Sequence, residues 1–456
     1  MGETLQPNQE ALLRHKLDLL LRTGGLLLES LADTNRIMRN MKRTAAFLGL
    51  PEEHLHIHIQ YDMLMVNLSD GEHSFSKFQR CEKHGVNMTA ISAISKLSWR
   101  AIREDYSLDR YEKELEAIRT RRRNYSPWQV AVGAGLACGG FCIQFGCDWT
   151  AFLYASVAAI LGFRLRAKCN EFGINHYMGI AIAAFVSTLL AWATTFLPAS
   201  WTSTPLHPLL ACALFIVPGV PLINFVDDML DGYVQVGIVR AANTLMMIAA
   251  MSFGIAMFIK LGGIDCASLL AIPMTPHHAY WEYAIAAAIS AMGFSMIFNI
   301  PRRLLWVVAV GGILAVCTRN FVNLGPSNGN IGLDMGLSLG SLAGATLVSI
   351  IAVKAVHWFH TPGHVLTIPS VIPMVPGVLM YRALVSLIEM NGVVGEVTGA
   401  AVYGISSALA ILCISLGVAI PNIFARRYIA ADRRKLLKQL IEERRRRGKF
   451  VDLGRL

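Results

Sequence analysis

Charge is scarce in this sequence. Of its 456 residues only 16% are Asp, Glu, Lys or Arg, against about 25% in an ordinary soluble chain. A large soluble fold is thereby excluded, and the mean hydropathy of +0.46 agrees. Paired cysteines are also missing. Nine cysteines occur without one C-x-x-C pair, so no zinc ribbon or dithiol motif is expected. Most sit in apolar runs (Cys138, Cys142, Cys169, Cys212, Cys317, Cys413) and read as small buried hydrophobes. A bridge between Cys147 and Cys266, both near expected outer span ends, is the one pairing to test. Residues 1–124 hold no Gly-rich phosphate loop, nucleophile elbow or zinc-protease helix, which removes the enzyme classes built on them for that head. No cofactor is called for. The first 20 residues are polar and amphipathic, without the apolar core of a cleaved secretory signal.

What is abundant is apolar sequence. Ten segments approach the roughly 20 residues that cross a bilayer: 128–146, 149–167, 176–197, 207–228, 234–260, 282–299, 303–322, 332–358, 364–388 and 395–424. The net charge of +10 collects around them rather than in a nucleic-acid patch. Loops after even-numbered spans carry Arg164, Arg166 and Lys168, then Arg302 and Arg303, then Lys354; Arg121 to Arg123 precede the first span. Loops after odd-numbered spans are poor in Lys and Arg, with Lys260 and Arg319 as exceptions at outer ends. This asymmetry places both termini in the cytoplasm of a multi-pass plasma-membrane protein.

The expected domains are a cytosolic α+β head over 1–124, a first five-helix membrane unit over 125–262, a second over 281–424, and a basic cytosolic tail over 425–456. In the head, helix is expected from Gln9 to Leu50 with an interruption at Gly24-Gly25 and a stop at Gly49 and Pro51. His54 to Gln60 alternates as a strand, Tyr61 to Leu68 follows, and Asp70-Gly71 turns the chain into Ser74 to Phe78. Helices then span Asn87 to Asp105 and Leu108 to Arg123. His54, His56 and His58 share one strand face, as a metal site or, more ordinarily, as its wet side opposite Leu55, Ile57 and Ile59.

The organising stretch is Val217-Pro-Gly-Val-Pro-Leu-Ile-Asn-Phe-Val-Asp-Asp-Met-Leu-Asp231. A second Val-Pro-Gly-Val begins at Val375, 158 residues on. Proline removes a backbone donor and glycine weakens helix, so Pro218-Gly219 and Pro376-Gly377 should each break a span. Gly140-Phe141 matches Gly293-Phe294, and Met178-Gly179 matches Met335-Gly336, at offsets of 153 and 157. Five spans per half invert the second copy. The fold class is therefore a polytopic α-helical membrane protein, about ten transmembrane helices as two five-helix inverted repeats with an N-terminal cytosolic α+β domain. Paired broken spans in such repeats mark a carrier's binding site.

Ionisable groups at membrane depth are functional candidates. Asn224, Asp227 and Asp228 follow the first break, and Asp231 reads more readily as a solvated turn. Arg382 follows the second break. Arg240 either lines the pathway or snorkels to the surface. His176, which opens the third span beside Asn175, and the span-end carboxylates Asp334, Glu389 and Glu396 are weaker candidates. Broken helix ends offer amides to a carboxylate and carbonyls to an ammonium. A zwitterionic amino acid suits both; a dicarboxylate would need Arg382 and Arg240. The runs Gly135, Gly139, Gly140 and Gly332, Gly336, Gly340, Gly344 read as helix-packing surfaces.

Three blocks carry a family resemblance. Gly25-Leu-Leu-Leu-Glu-Ser-Leu-Ala-Asp-Thr-Asn-Arg36, with Met41-Lys-Arg43 and Ala46-Phe-Leu-Gly-Leu50, resembles the cytosolic opening of the threonine/serine exporter family. Phe215 to Asp228, with Gly232 and Arg240, resembles a block of its first membrane unit, and Ile368 to Tyr381 the signature of its second. The resemblance implies proton-driven export of threonine and serine. Split relatives, with the units on two chains, are associated with succinate export; this chain fuses both units and adds an Arg-rich tail. The expected partners are thus a small amino acid or a dicarboxylate, protons and membrane lipid, with a homo-oligomer left open and no nucleic acid. The rival from another class is a signalling or enzymatic head merely anchored by the spans.

Overall fold

A computed structural model describes residues 7–69, 74–264, 270, 272, 274, 278–326, 329–359, 361–388, 394–428 and 431–451. Cys266, Glu389 and the Asp70-Gly71 turn lie outside the described residues, as does the side chain of Glu396. The chain forms two compact units, Met1–Arg123 with Asp227–Val239 and Ile423–Leu456, and Asn124–Val226 with Arg240–Asn422.

In the first unit, α1 (Pro7–Glu29) runs straight through Gly24-Gly25. The expected interruption is absent there because both glycines are contact points. A Cβ on Gly24 would stand 2.5 Å from Met41 Sδ, and one on Gly25 2.7 Å from Gln79 Nε2. The chain instead breaks at Leu31, in the left-handed region at φ 59°. Asp33 then caps α2 (Thr34–Leu48), accepting from the Arg36 amide at 2.8 Å, and Gly49 closes it at φ 73°. Strands β1 (Leu55–Ile59), β2 (Met63–Ser69) and β3 (Ser74–Arg80) form an antiparallel sheet in sequence order. Leu64, Val66 and Leu68 of β2 are fully buried, as the period of two requires. His54 precedes the strand, ending a single 3-10 turn (Glu52–His54), so the three histidines do not share a strand face. His54 Nδ1 instead contacts Ser69 O at 3.0 Å. Helices α3 (Met88–Arg103) and α4 (Leu108–Arg119) complete the head, capped by Asn87 and Ser107.

The second unit holds α5 (Pro127–Gln144), α6 (Trp149–Glu171), α7 (His176–Ala193), the short α8 (Pro208–Ala211), and parts of α9 (Gly219–Leu230) and α10 (Val234–Leu261). It continues with α11 (Tyr280–Ile297), α12 (Leu305–Asn323), α13 (Leu337–Phe359), α14 (Gly363–Val371), α15 (Gly377–Ile388) and most of α16 (Val394–Tyr428). A last helix, α17 (Ala431–Arg446), belongs to the first unit. All ten expected segments carry helix. Among the described residues six helices are long and apolar enough to cross a bilayer, and counting each of two bent pairs as one span raises the number to eight. The other two, α5 and α11, are built largely of small residues and pack on one another. A Cβ on Gly133 would meet Gly293 O at 3.1 Å, and one on Gly293 would meet Gly133 O at 2.3 Å. Ser290 Oγ donates to Ala137 O at 3.0 Å across the same seam. This is close helix approach through small residues. The chain is a polytopic membrane protein.

Candidate functional site

Both proline-glycine stretches break their spans. The bend between Pro208–Ile216 and Gly219–Leu230 is 58°, and that between Gly363–Met374 and Gly377–Ile388 is 53°. The two breaks match bond for bond. Val217 N donates to Leu214 O at 3.1 Å and Val375 N to Ile372 O at 2.9 Å. Gly219 N donates to Val217 O at 2.9 Å and Gly377 N to Val375 O at 2.8 Å. Leu222 N then reaches Pro218 O at 3.0 Å, and Met380 N reaches Pro376 O at 3.1 Å. Proline has no amide proton to place in the bend, and glycine accepts the tight turn that follows.

The breaks also touch each other. A Cβ on Gly219 would lie 2.4 Å from Ile372 Cδ1, in the second break. A Cβ on Gly377 would lie 2.8 Å from Leu214 Cδ2 and 3.0 Å from Val217 Cγ2, in the first. Each glycine is thus the seat for an apolar side chain of the other break.

The half-helices beyond the breaks are equal in length, 12 residues each. Asn224, Asp227 and Asp228 on α9, with Asp231 just past its end, follow the i, i+3, i+4, i+7 spacing of one helix face. Asn224 is 2% exposed, Asp227 3% and Asp228 1%. Arg382, on α15, stands 158 residues after Asn224, the offset of the breaks themselves. The equivalent position thus holds a carboxamide in one copy and a guanidinium in the other. Arg382 is 3% exposed, donates from Nη2 to Ile272 O at 2.8 Å, and lies 5.8 Å from the Tyr403 ring centre. Arg240 is 1% exposed, so it does not snorkel. His176 and Asp334 are exposed, the first opening α7 and the second in a left-handed turn at φ 56°, so neither lines a buried site.

Two head residues reach the acidic face of α9. The Thr34 amide donates to Asp228 Oδ1 at 2.8 Å, and Asn35 Nδ2 donates to Asp231 Oδ2 at 2.7 Å. They are the first two residues of α2, where amides point outward and the helix dipole favours an anion. Asp231 is therefore a docking group rather than a merely solvated turn. The sequence gives no sign of this contact, because 194 residues separate Thr34 from Asp228. The described residues contain no group of three or more His, Cys, Asp or Glu side chains able to hold a metal.

Comparisons with known proteins agree with this architecture. A family model described as "Putative threonine/serine exporter" matches residues 18–262, and one described as "Threonine/Serine exporter, ThrE" matches 283–424. The chain belongs to the threonine/serine exporter family. It is a transporter, not an enzyme. Among curated relatives, a protein of Klebsiella aerogenes named "Probable succinate transporter subunit YjjP" is 26% identical over 202 residues, covering 44% of this chain and 77% of that one. The protein of the same name from Escherichia coli K12 is 24% identical over 246 residues, covering 54% of this chain and 94% of its own. Each relative therefore corresponds to about half of this chain. No solved structure matches it.

Proposed function

We propose that this family member is a secondary active exporter of small hydroxy amino acids, threonine and serine, exchanging them for protons across the plasma membrane. Two five-helix units of opposite orientation alternate access to a site at the paired breaks, with both termini in the cytoplasm. The observation that carries this reading is the pair of proline-glycine breaks with matching backbone hydrogen bonds, seated in one another. Broken half-helices leave amides and carbonyls for a zwitterion, where lipid offers neither. Pro218, Gly219, Pro376 and Gly377 shape the site, Asn224 and Arg382 face the solute, and Asp227, Asp228 and Arg240 handle charge. The head acts as a coupling element through its grip on Asp228 and Asp231.

The second reading, a dicarboxylate exporter, draws on buried Arg240 and Arg382 and on the names of the two relatives. Counterflow into proteoliposomes with labelled threonine, serine and succinate separates the two. Exchange of threonine is expected, accelerated by an imposed proton gradient; exchange of succinate alone selects the second reading. Asp227→Asn and Asp228→Asn should each abolish gradient-driven efflux while membrane insertion stays normal. Unaltered threonine efflux from both variants refutes the proton role.

A further inference from the structure

Arg319 lies near the end of α12 and fits the charge pattern of the loops poorly. Its guanidinium has no carboxylate partner among the described residues. Nε and Nη2 donate to Asn320 Oδ1 at 3.0 and 2.8 Å, and Nη2 also donates to Gln144 Oε1 at 3.2 Å. A guanidinium only donates, so these bonds fix how both carboxamides face: oxygen toward Arg319, NH2 away from it. Both amide side chains are buried, Gln144 at 5% exposure and Asn320 at 2%. Gln144 Nε2 and Asn320 Nδ2 are enclosed and have no hydrogen-bond acceptor among the described residues.

Among the described residues the cluster therefore holds one positive charge balanced by neutral oxygens, and two buried donors without acceptors. Native interiors rarely leave such groups unsatisfied, and each instance asks for a cause. A cation near the end of an apolar span asks for one too. A carboxylate that takes over the guanidinium's bonds would free both amides to turn, and its remaining lone pairs would accept from their NH2 groups. Structural packing alone would be served better by an apolar trio of the same volume.

We propose that Arg319, Gln144 and Asn320 form a carboxylate-binding subsite for the transported solute. This rests on the exporter reading above and deepens it, since hydroxy amino acids and dicarboxylates share that group. The subsite joins the last turns of α5 and α12. With head and tail in the cytoplasm, those turns belong to the outer side. The carboxylate is held there on its way out, apart from Arg382.

The test reads binding without transport. Full-length protein in detergent is heated with increasing succinate or L-threonine, and with L-threoninamide, which lacks the carboxylate. A ligand that binds only the folded state raises the unfolding temperature with its concentration. Wild type should respond saturably to both acids and not to the amide. Asn320→Asp places a carboxylate where Arg319 already donates two bonds. That variant should start at a higher unfolding temperature and bind both acids at least about tenfold more weakly, because its own carboxylate occupies the site. Arg319→Gln should lose the response as well. Equal responses of wild type and N320D overturn the subsite. So does a wild type blind to both acids, or one that answers threoninamide as it answers threonine. If wild type binds the acids but exports none of the solutes, the exporter reading fails and the subsite stands.

Discussion

The contact between the Thr34 amide and Asp228 allows an unusually selective substitution. Thr34 is the first residue of α2, the helical position proline tolerates best. Asp33 before it lies at φ −63°, ψ 147°, the extended region a following proline requires. Thr34→Pro should therefore keep the head folded while deleting one hydrogen bond to a buried carboxylate. Bonds to charged groups contribute about 1.5–3 kcal/mol. The expected outcome is a clear fall in threonine counterflow with the protein still folded and its unfolding temperature lowered by several degrees. Undiminished counterflow would remove the head from the transport cycle. The sequence marks Asp228 by its place after a broken span, but it is silent about Thr34. A backbone donor has no side-chain signature, and its partner is distant in the chain. Arg319 is legible only as a basic residue on the wrong side of the charge pattern. Its carboxamide neighbours, one of them on another helix, appear only once α5 and α12 are packed.

At the scale of elements, two kinds of close glycine approach predict different sensitivities. Gly293 faces the backbone carbonyl of Gly133, which has no freedom to withdraw. Gly293→Ala should push α5 and α11 apart and lower the unfolding temperature markedly. Gly219 faces the far end of the Ile372 side chain, which rotates aside at little cost. Gly219→Ala should be tolerated in stability, whereas Gly219→Leu should not, and thermal unfolding of the purified variants checks the ordering. Equal effects of the two alanine substitutions would contradict the packing described. Helix positions and both breaks are readable from apolar length and Pro-Gly chemistry. The continuation of α1 through Gly24-Gly25 is not, because tertiary contacts with Met41 and Gln79 override the weak helix propensity of glycine.

At the scale of the whole molecule, the basic tail is part of the head's structure. Arg444 is 8% exposed, pairs with Asp105, donates to Phe47 O at 2.6 Å, and lies over the Phe47 ring. Lys449 also pairs with Asp105, and Arg445 bonds Glu53 at 2.6 Å. The Val451 amide donates to Gly49 O at 2.7 Å, and a Cβ on Gly49 would strike Lys449 O at 2.0 Å. A cavity of about 410 Å³ remains between α2, β1 and the tail. Lys449, with Arg444, holds the Asp105 carboxyl below the usual aspartate range. A depressed value means the pairing contributes fully at neutral pH and is lost only as pH falls through that value, below about 4. Hydrogen exchange of the Val451 amide should therefore stay slow through mildly acidic pH. Asp105→Asn, which strands the buried Arg444, should weaken docking by about 1–3 kcal/mol, after discount for the partly exposed carboxylate. An unchanged exchange rate in that variant would mean the pair does not hold the tail. The sequence reads this segment only as a basic cytosolic tail, since a row of arginines is the same whether bathed in water or packed over a phenylalanine ring.

The bond from Val451 to Gly49 ties together segments that leave the ribosome about 400 residues apart. The C-terminal cap of α2 therefore stays without this partner until Val451 has left the ribosome. A prematurely terminated copy would carry its membrane helices but an unfinished cytosolic lobe, open to proteases that survey new membrane proteins.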